Sequence, residues 1–169
     1  MALLEVRELR VSFRTRDGLV RAVNDVSLSI DRGRTLGLVG ESGSGKSVTS
    51  LTVLGLTRSP DTEITGEVLL DGVDLLKLEG PALRDIRGSR VAMVFQDPLS
   101  SLHPMHRVGT QIVEAIRAHE RVSKRAATAR AIELLRSVGI PSPETRVDAY
   151  PHELSGGMRQ RVMIAMALA

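Results

Sequence analysis

Apolar and polar residues alternate near the start of the chain, over Leu3 to Arg7 and again over Val20 to Ile30. A period of two places the apolar side chains on one face of a β-strand, so both segments predict antiparallel strands. Asp17–Gly18 lies between them and predicts a hairpin turn. Glu67 to Leu70, followed by Asp71–Gly72, predicts a further strand and turn.

Two continuous apolar runs, Thr35 to Val39 and Val91 to Phe95, have a different pattern. Short runs without alternation are typical of strands buried on both faces, as in the centre of an α/β sheet. The second run is followed by Gln96 and is then broken by Asp97–Pro98. We therefore predict a central strand over each run.

Helical signals dominate the later part of the chain. Apolar residues recur at helical spacing over two long segments, and glycine with two prolines ends the second of them. Ser155 predicts the N-cap of a last helix, because its hydroxyl can accept from the first-turn N–H groups. The predicted helices are Val48 to Leu56, Pro81 to Arg87, Val108 to His119, Ser123 to Val138 and the segment from Ser155 to Ala169.

Gly40 to Ser47 has the sequence GESGSGKS, which fits the phosphate-binding pattern G-x-x-x-x-G-K-[ST] at every fixed position. The glycines let the backbone curl around a polyphosphate, and the following helix N-terminus adds N–H donors and a favourable dipole. In this pattern Lys46 reaches the β- and γ-phosphates and the Ser47 hydroxyl binds Mg²⁺. A flexible loop with an incidental lysine is the alternative, which the flanking strand and helix disfavour.

Leu154 to Met158, with the sequence LSGGM, is a second candidate site. Glycine costs about 1 kcal/mol relative to alanine inside a helix, so Gly156 and Gly157 in a first turn are locally unfavourable. They are explained if a phosphate approaches the backbone at the positive helix end. A plain glycine-rich cap is the alternative.

Gln96 is a third candidate, because it ends a predicted strand. Ligands bind outside the carboxyl ends of strands in open α/β sheets, which is where this amide would lie. A solvated glutamine at a strand end is the alternative and the commoner case.

The order GESGSGKS, VFQDP, LSGGMRQR resembles the ATP-binding subunit of an ABC transporter, in which these segments are the Walker A loop, the Q-loop and the signature motif. The finer resemblance is to the ATPases of oligopeptide, dipeptide and nickel importers. It covers nearly the whole chain, most clearly Phe13 to Ile30, Val94 to Ile112 and Tyr150 to Ala169. His103 departs from it, because relatives usually have asparagine there, and we expect a tolerated loop change.

The resemblance implies a P-loop NTPase of the α/β class: an ABC-type ATPase core with N-terminal antiparallel β-strands and a helical subdomain. We place the nucleotide-binding core with Walker A at 1–96, the helical subdomain at 97–154 and the signature helix at 155–169. The family's Walker B strand and switch histidine are not found before Ala169. We therefore expect an N-terminal fragment, incomplete at the C-terminus and inactive in hydrolysis alone.

The resemblance also implies roles for individual residues. Gln96 would sense the γ-phosphate and Mg²⁺ as the catalytic candidate, and Ser155 and Gly157 would contact ATP held by a second subunit. Phe13 would stack on adenine, or else pack as an ordinary strand residue. Ser47 and Gln96 are the Mg²⁺ candidates. The cofactor-binding candidates are Phe13, Gly40, Glu41, Ser42, Gly43, Ser44, Gly45, Lys46, Ser47, Val48, Ser155, Gly156 and Gly157.

Composition narrows the alternatives. The 169 residues contain 23 Lys and Arg against 20 Asp and Glu, and the arginines are scattered, which disfavours a nucleic-acid surface. The absence of cysteine excludes disulfides and thiolate metal sites. The absence of a cleavable signal or a membrane-spanning apolar run leads us to expect the cytoplasmic face of the inner membrane, with attachment through partners.

The expected partners are a second ATPase subunit, identical or related, and the membrane-spanning permease subunits. An extracytoplasmic solute-binding protein would act indirectly, and no nucleic acid is expected. Two other readings stay open: a truncated nucleotide binder that does not hydrolyse ATP, and a DNA-associated ABC ATPase. Long coiled-coil or zinc-binding insertions would favour the latter, and the sequence has neither.

Overall fold

The structure is a computed structural model that describes residues 2–97 and 101–169. It divides into two compact units, Met1–Leu83 and Arg84–Ala169. Pro98, which was named with Asp97 as the end of a predicted strand, lies outside the described residues. The boundaries predicted at 96/97 and 154/155 stay predictions.

The first unit contains a four-stranded antiparallel sheet with the order β2-β1-β3-β4. Long alternating segments form its two major strands, and short β-branched and apolar segments form the others. The strands are β1 (Ala2–Thr15), β2 (Gly18–Asp31), β3 (Thr62–Leu70) and β4 (Val73–Asp74). One face is apolar and buried, with Val6, Leu9 and Val11 of β1 at its centre.

Both predicted turns are confirmed. Thr15 pairs with Gly18 across the first hairpin, so the turn lies one residue earlier than the Asp17–Gly18 pair suggests. Leu70 pairs with Val73 across the second. Its two central residues have φ of 47° and 79°, the left-handed pair that a tight hairpin requires and that an Asp–Gly sequence supplies.

Helix α1 spans Lys46–Val53, whereas the sequence predicted Val48 to Leu56. It begins earlier because the chain enters helical geometry directly after Gly45, which has φ of +87°. It ends earlier because Gly55, with φ of +64°, reverses the chain, and the Leu56 N–H donates back to the Leu51 carbonyl at 2.9 Å.

The strand predicted over Thr35 to Val39 is wrong for this structure. Residues 34–40 have no regular secondary structure, and Val39 is 95% exposed. A central strand exists only when neighbouring strands satisfy its N–H and C=O groups. Within the described residues, no strand lies beside this run to do so.

The strand predicted over Val91 to Phe95 is also wrong. Val91 makes one isolated parallel bridge to Arg87, and residues 92–95 form no strand. Val94 and Phe95 are each 42% exposed. The run is apolar, but no strand in the described part of the chain pairs with it.

Helices form most of the second unit. Helix α2 (Gly80–Ile86) begins in the first unit and ends near the start of the second unit. The two long helices have the predicted bounds to within a residue, and the last helix has the predicted cap. They are α3 (Val108–His119), α4 (Lys124–Ser137), the short α5 (Pro143–Arg146) and α6 (Gly156–Ala167). Their apolar faces form one core in which Ile112, Ile116 and Leu135 are fully buried.

Ser123 caps α4 by accepting from the Ala126 N–H at 3.2 Å. Gly139, with φ of +74°, follows the end of the helix as its sequence position predicted. No helix in the described ranges combines the length and apolar character needed to cross a membrane.

Candidate functional site

The loop before α1 has the features that an anion site requires. Gly45 is the N-cap in the left-handed region, and no side chain caps the helix. The N–H groups of the first turn are therefore left without a capping side chain, and the positive end of the helix dipole opens onto the Gly40–Gly45 loop. The loop is exposed up to Ser44.

Lys46 closes this loop. Its Nζ donates to the carbonyl oxygens of Gly40 at 2.7 Å and Glu41 at 2.6 Å, and to Ser44 Oγ at 3.1 Å. These contacts hold the ammonium over the concave side of the loop. The group that would neutralise a phosphate is therefore already placed, and the loop curls around it.

Three glycines of the loop have identifiable structural causes. A Cβ on Gly45 would lie 2.4 Å from the Ala22 carbonyl oxygen of β2, so only glycine allows this approach of loop to sheet. Gly43 has φ of +82° but open space around it, so its glycine serves the backbone conformation alone. At Gly40 a Cβ would meet Ser44 Oγ at 2.7 Å and narrow the space inside the Gly40–Gly45 loop, which we call the cradle.

The remaining candidates of the loop surround this cradle. Ser47 is exposed in the first turn of α1, where a hydroxyl is available to a cation beside a bound phosphate. Glu41, Ser42 and Ser44 are exposed along the loop, and Val48 is half-buried. Backbone donors, one lysine and one hydroxyl in this arrangement fit a polyphosphate with Mg²⁺.

Phe13 lies in the same unit as the loop. It is half-buried and pairs with Val20 across β1 and β2 and with Thr62 across β1 and β3. Two residues earlier on the same face of β1, Val11 pairs with Val23, whose side chain would lie 3.5 Å from a Cβ on Gly45. Strand alternation therefore places Phe13 on the sheet face that meets the loop.

Gln96 and Ser155 belong to the second unit. The candidate residues at 40–48 therefore lie together in the first unit, whereas Gln96 and Ser155 lie in the second unit. Gln96 is exposed and lies in an irregular segment rather than at a strand end. After it, the Ser101 hydroxyl donates to the Asp97 carbonyl at 2.9 Å.

Ser155 is the N-cap of α6, as predicted, and its Oγ accepts from the Met158 N–H at 3.3 Å. Gly156 and Gly157 form the first turn, and a Cβ added to either would meet nothing within 4 Å. The described chain therefore makes no steric demand for glycine here. An external group approaching the helix end would make that demand.

The turn before Ser155 is held by side chains that the sequence analysis missed. The Tyr150 N–H donates to Glu153 Oε2 at 2.7 Å, and Arg159 Nε donates to the Pro151 carbonyl at 2.7 Å. A glutamate three residues after a helix boundary is a known capping signal that could have identified Glu153. The backward reach of Arg159 has no comparable local signal.

Gln111 was also missed. It lies at a buried position on α3 and is 7% exposed, with its amide directed at the preceding loop. A lone glutamine among apolar positions of an amphipathic helix is a signal that could have identified it, because a buried amide requires partners.

Charged groups near these turns form surface pairs. Arg107 Nη1 donates to Asp148 Oδ1 at 2.8 Å, and hydrogen bonds to Asp148 and Tyr150 raise the pKa of Arg107.

The imidazole rings of His103 and His106 meet edge to face with centroids 4.3 Å apart. Among residues 2–97 and 101–169, no group of three or more His, Cys, Asp or Glu is placed to hold a metal ion.

A family model described as ABC transporter matches residues 23–169. The oligopeptide transport ATP-binding protein OppD of Bacillus subtilis is 52% identical over 168 residues, 99% of this chain and 47% of that protein. The dipeptide transport ATP-binding protein DppD of Haemophilus influenzae is 52% identical over 169 residues, 100% of this chain and 51% of that protein. The chain spans about half the length of the curated relatives it matches.

Solved structures show the same likeness. The dimeric structure of MJ0796, a bacterial ABC transporter cassette, matches 98% of this chain and 68% of its own with a TM-score of 0.85 and 26% identity. The structure of cbiO1 from Clostridium perfringens, part of the complex cbiONQ, matches 99% of this chain and 61% of its own with a TM-score of 0.73 and 26% identity. The predicted fold class is confirmed.

Proposed function

Because this chain belongs to the ABC transporter family, we propose that the complete protein is the ATP-binding and ATP-hydrolysing subunit of an importer for peptides or related small solutes. The observation that carries the proposal is the loop of Gly40 to Ser47, with Lys46 fixed over its concave side. Relatives named for oligopeptide and dipeptide transport support the solute class. The proposal also includes nickel as a transported solute.

ATP binds with its phosphates in the cradle. The loop amides and the first turn of α1 donate to phosphate oxygens, and Lys46 neutralises their charge. Ser47 would offer its hydroxyl to Mg²⁺, which would offset the negative charge of the phosphates. A solved relative bound to ADP and phosphate supports a nucleotide in this fold. Phe13 presents its ring to the adenine from the neighbouring sheet face.

Two such subunits, identical or related, pair with each ATP between them. Gly156 and Gly157 admit the γ-phosphate to the N-terminus of α6, and Ser155 adds its hydroxyl. Gln96 senses the γ-phosphate with Mg²⁺ and transmits closure to the helices that follow it. The dimeric MJ0796 cassette supports such pairing.

The subunit acts at the cytoplasmic face of the inner membrane, attached through permease subunits, and an extracytoplasmic solute-binding protein supplies solute indirectly. Names of relatives in peptide transport support these partners. Hydrolysis proceeds mostly by positioning and charge stabilisation, so residues from both subunits act together.

Lys46→Ala tests the proposal in the complete protein. Losing a charge-assisted contact of about 1.5–3 kcal/mol weakens MgATP binding by roughly tenfold to a hundredfold. Calorimetry measures the dissociation constant, and phosphate release measures turnover. Lys124→Ala, which removes an exposed lysine at the start of α4, is the matched control. Equal affinity and turnover in the Lys46 variant and the wild type refute the assignment.

A further inference from the structure

Gln111 uses every hydrogen-bonding group of its amide on one short segment. Its Oε1 accepts from the His103 N–H at 2.9 Å. Its Nε2 donates to the carbonyl oxygens of His103 at 3.1 Å and His106 at 2.9 Å. The side chain is 7% exposed beside the fully buried Ile112, so water cannot replace these bonds without opening the core.

The same helical turn is fixed on a second side. The N–H groups of Val108 and Gly109 donate to the carbonyl oxygens of Ala149 and Val147, each at 2.9 Å. A Cβ on Gly109 would lie 2.5 Å from the Val147 oxygen and 2.2 Å from its Cγ2. The first turn of α3 is therefore in direct contact with the backbone of 147–149, and a larger residue would separate them.

One anchored segment leads back to Gln96. The Ser101 hydroxyl donates to the Asp97 carbonyl at 2.9 Å, and Leu102 is buried in the helical core at 3% exposure. His103, held by the amide described above, follows directly. Ser101, Leu102 and His103 are therefore each held by a described contact before the chain enters α3.

The other anchored segment leads forward to Ser155. Residues 147–149 continue into the turn in which the Tyr150 N–H donates to Glu153 and the Arg159 guanidinium donates to Pro151. Leu154 packs in the same core at 3% exposure. The first turn of α3 is therefore a common support for residues 103–106 and for the turn that presents Ser155.

We propose that Gln111 is a positioning residue that couples these two segments, so that a displacement of the Gln96 segment by nucleotide moves the turn that presents Ser155. The proposal rests on the proposed function, because it assigns a nucleotide to Gln96 and Ser155. A buried amide with three bonds to one segment transmits a displacement that a slack loop would absorb. Gly109 supports the same joint by its close approach to Val147.

Gln111→Glu is the sharpest test, because a carboxylate of the same shape still accepts from the His103 N–H but cannot donate to the two carbonyls. In the complete protein, hydrogen exchange at the backbone N–H groups of residues 103 and 105–107 increases. ATP-driven dimerisation, measured by light scattering over an ATP titration, requires about tenfold more nucleotide, a typical coupling energy. The MgATP dissociation constant of the monomer stays within about twofold, since coupling rather than the phosphate cradle is changed.

Two controls separate coupling from loss of stability. Thr110→Glu places the same charge one residue away on an exposed position of α3 and leaves both readouts unchanged. Ile116→Val weakens the same helix in its core and lowers the melting temperature without changing the nucleotide dependence of dimerisation. If the glutamate variant does not fold, Gln111→Met decides, because it removes the same bonds without a charge.

Normal exchange and normal ATP-driven dimerisation in a folded Gln111 variant overturn the proposal. An equal shift of dimerisation in Ile116→Val also overturns it, since stability alone would then explain the effect. Failure of the proposed function gives a different result: the wild type itself neither binds MgATP nor dimerises with it.

Discussion

Replacing Gly45 by alanine tests whether the loop is held by its contact with the sheet. The residue has φ of +87°, and the new Cβ would lie 2.4 Å from the Ala22 carbonyl oxygen. Neither atom is the end of a flexible side chain, so the backbone of the loop or of β2 has to move. Because α1 begins directly after Gly45, the shift also disturbs the first turn of the helix.

Gly43→Ala separates the two causes. Gly43 has nearly the same φ, +82°, but nothing within 4 Å of its Cβ position. Left-handed backbone costs alanine about 1–2 kcal/mol at either site. The enforced backbone shift at Gly45 adds about 1–3 kcal/mol, the usual cost of overpacking. Gly45→Ala should therefore be the more destabilising of the pair by that second amount.

Urea unfolding of the complete protein without nucleotide measures the free-energy difference between the variants. Hydrogen exchange gives a local measure, because the Thr49 N–H donates to the Gly45 carbonyl at 2.8 Å. This amide should lose protection in Gly45→Ala and keep it in Gly43→Ala. If both variants lose the same stability and the same protection, the contact with Ala22 does not hold the loop.

Two further changes test other parts of the structure. Gly157→Asp, in a hydrolysis-deficient background, should keep MgATP binding to the monomer, because the Cβ position is open, and should abolish ATP-driven dimerisation by placing a carboxylate against phosphate. Normal dimers in light scattering would contradict it. Burial raises the pKa of Asp74, but hydrogen bonds from Lys77, Leu76 and Val68 outweigh it and hold the pKa below its usual value. A lowered carboxyl pKa stabilises the fold at pH above the unfolded value, so the advantage of wild type over Asp74→Asn should shrink as pH falls below about 4. An advantage that does not change with pH would contradict this account.

The elements that the sequence predicted well are those with local causes. The first hairpin follows from alternating segments around a short turn, and the second from an Asp–Gly pair that tolerates positive φ. The helix α3 has the predicted bounds, Val108–His119, because its apolar residues recur at helical spacing. Ser155 caps its helix because the bond from Met158 closes within three residues.

The two predicted central strands failed for a non-local reason. Residues 35–39 and 91–95 are apolar enough for strands, but a strand is defined by its neighbours rather than by its own side chains. The described residues place no such neighbour beside either run, and Val39 and Phe95 remain exposed. Hydrophobicity alone therefore predicted which residues require burial, but it did not predict which neighbouring strand would bury them.

The candidate site also has parts that depend on local sequence and parts that depend on residues farther along the chain. The proposed phosphate site could be predicted from the sequence because its residues are contiguous and the partners of Lys46 lie within six residues of it. Gln111 depends on a loop five to eight residues away, and its neighbour Gly109 depends on Val147, far along the chain. A short pattern identifies groups that bind ligand through contiguous backbone. Groups that connect one such pattern to another become identifiable only when folding brings their segments together, so the proposed coupling by Gln111 depends on contacts that the sequence did not predict.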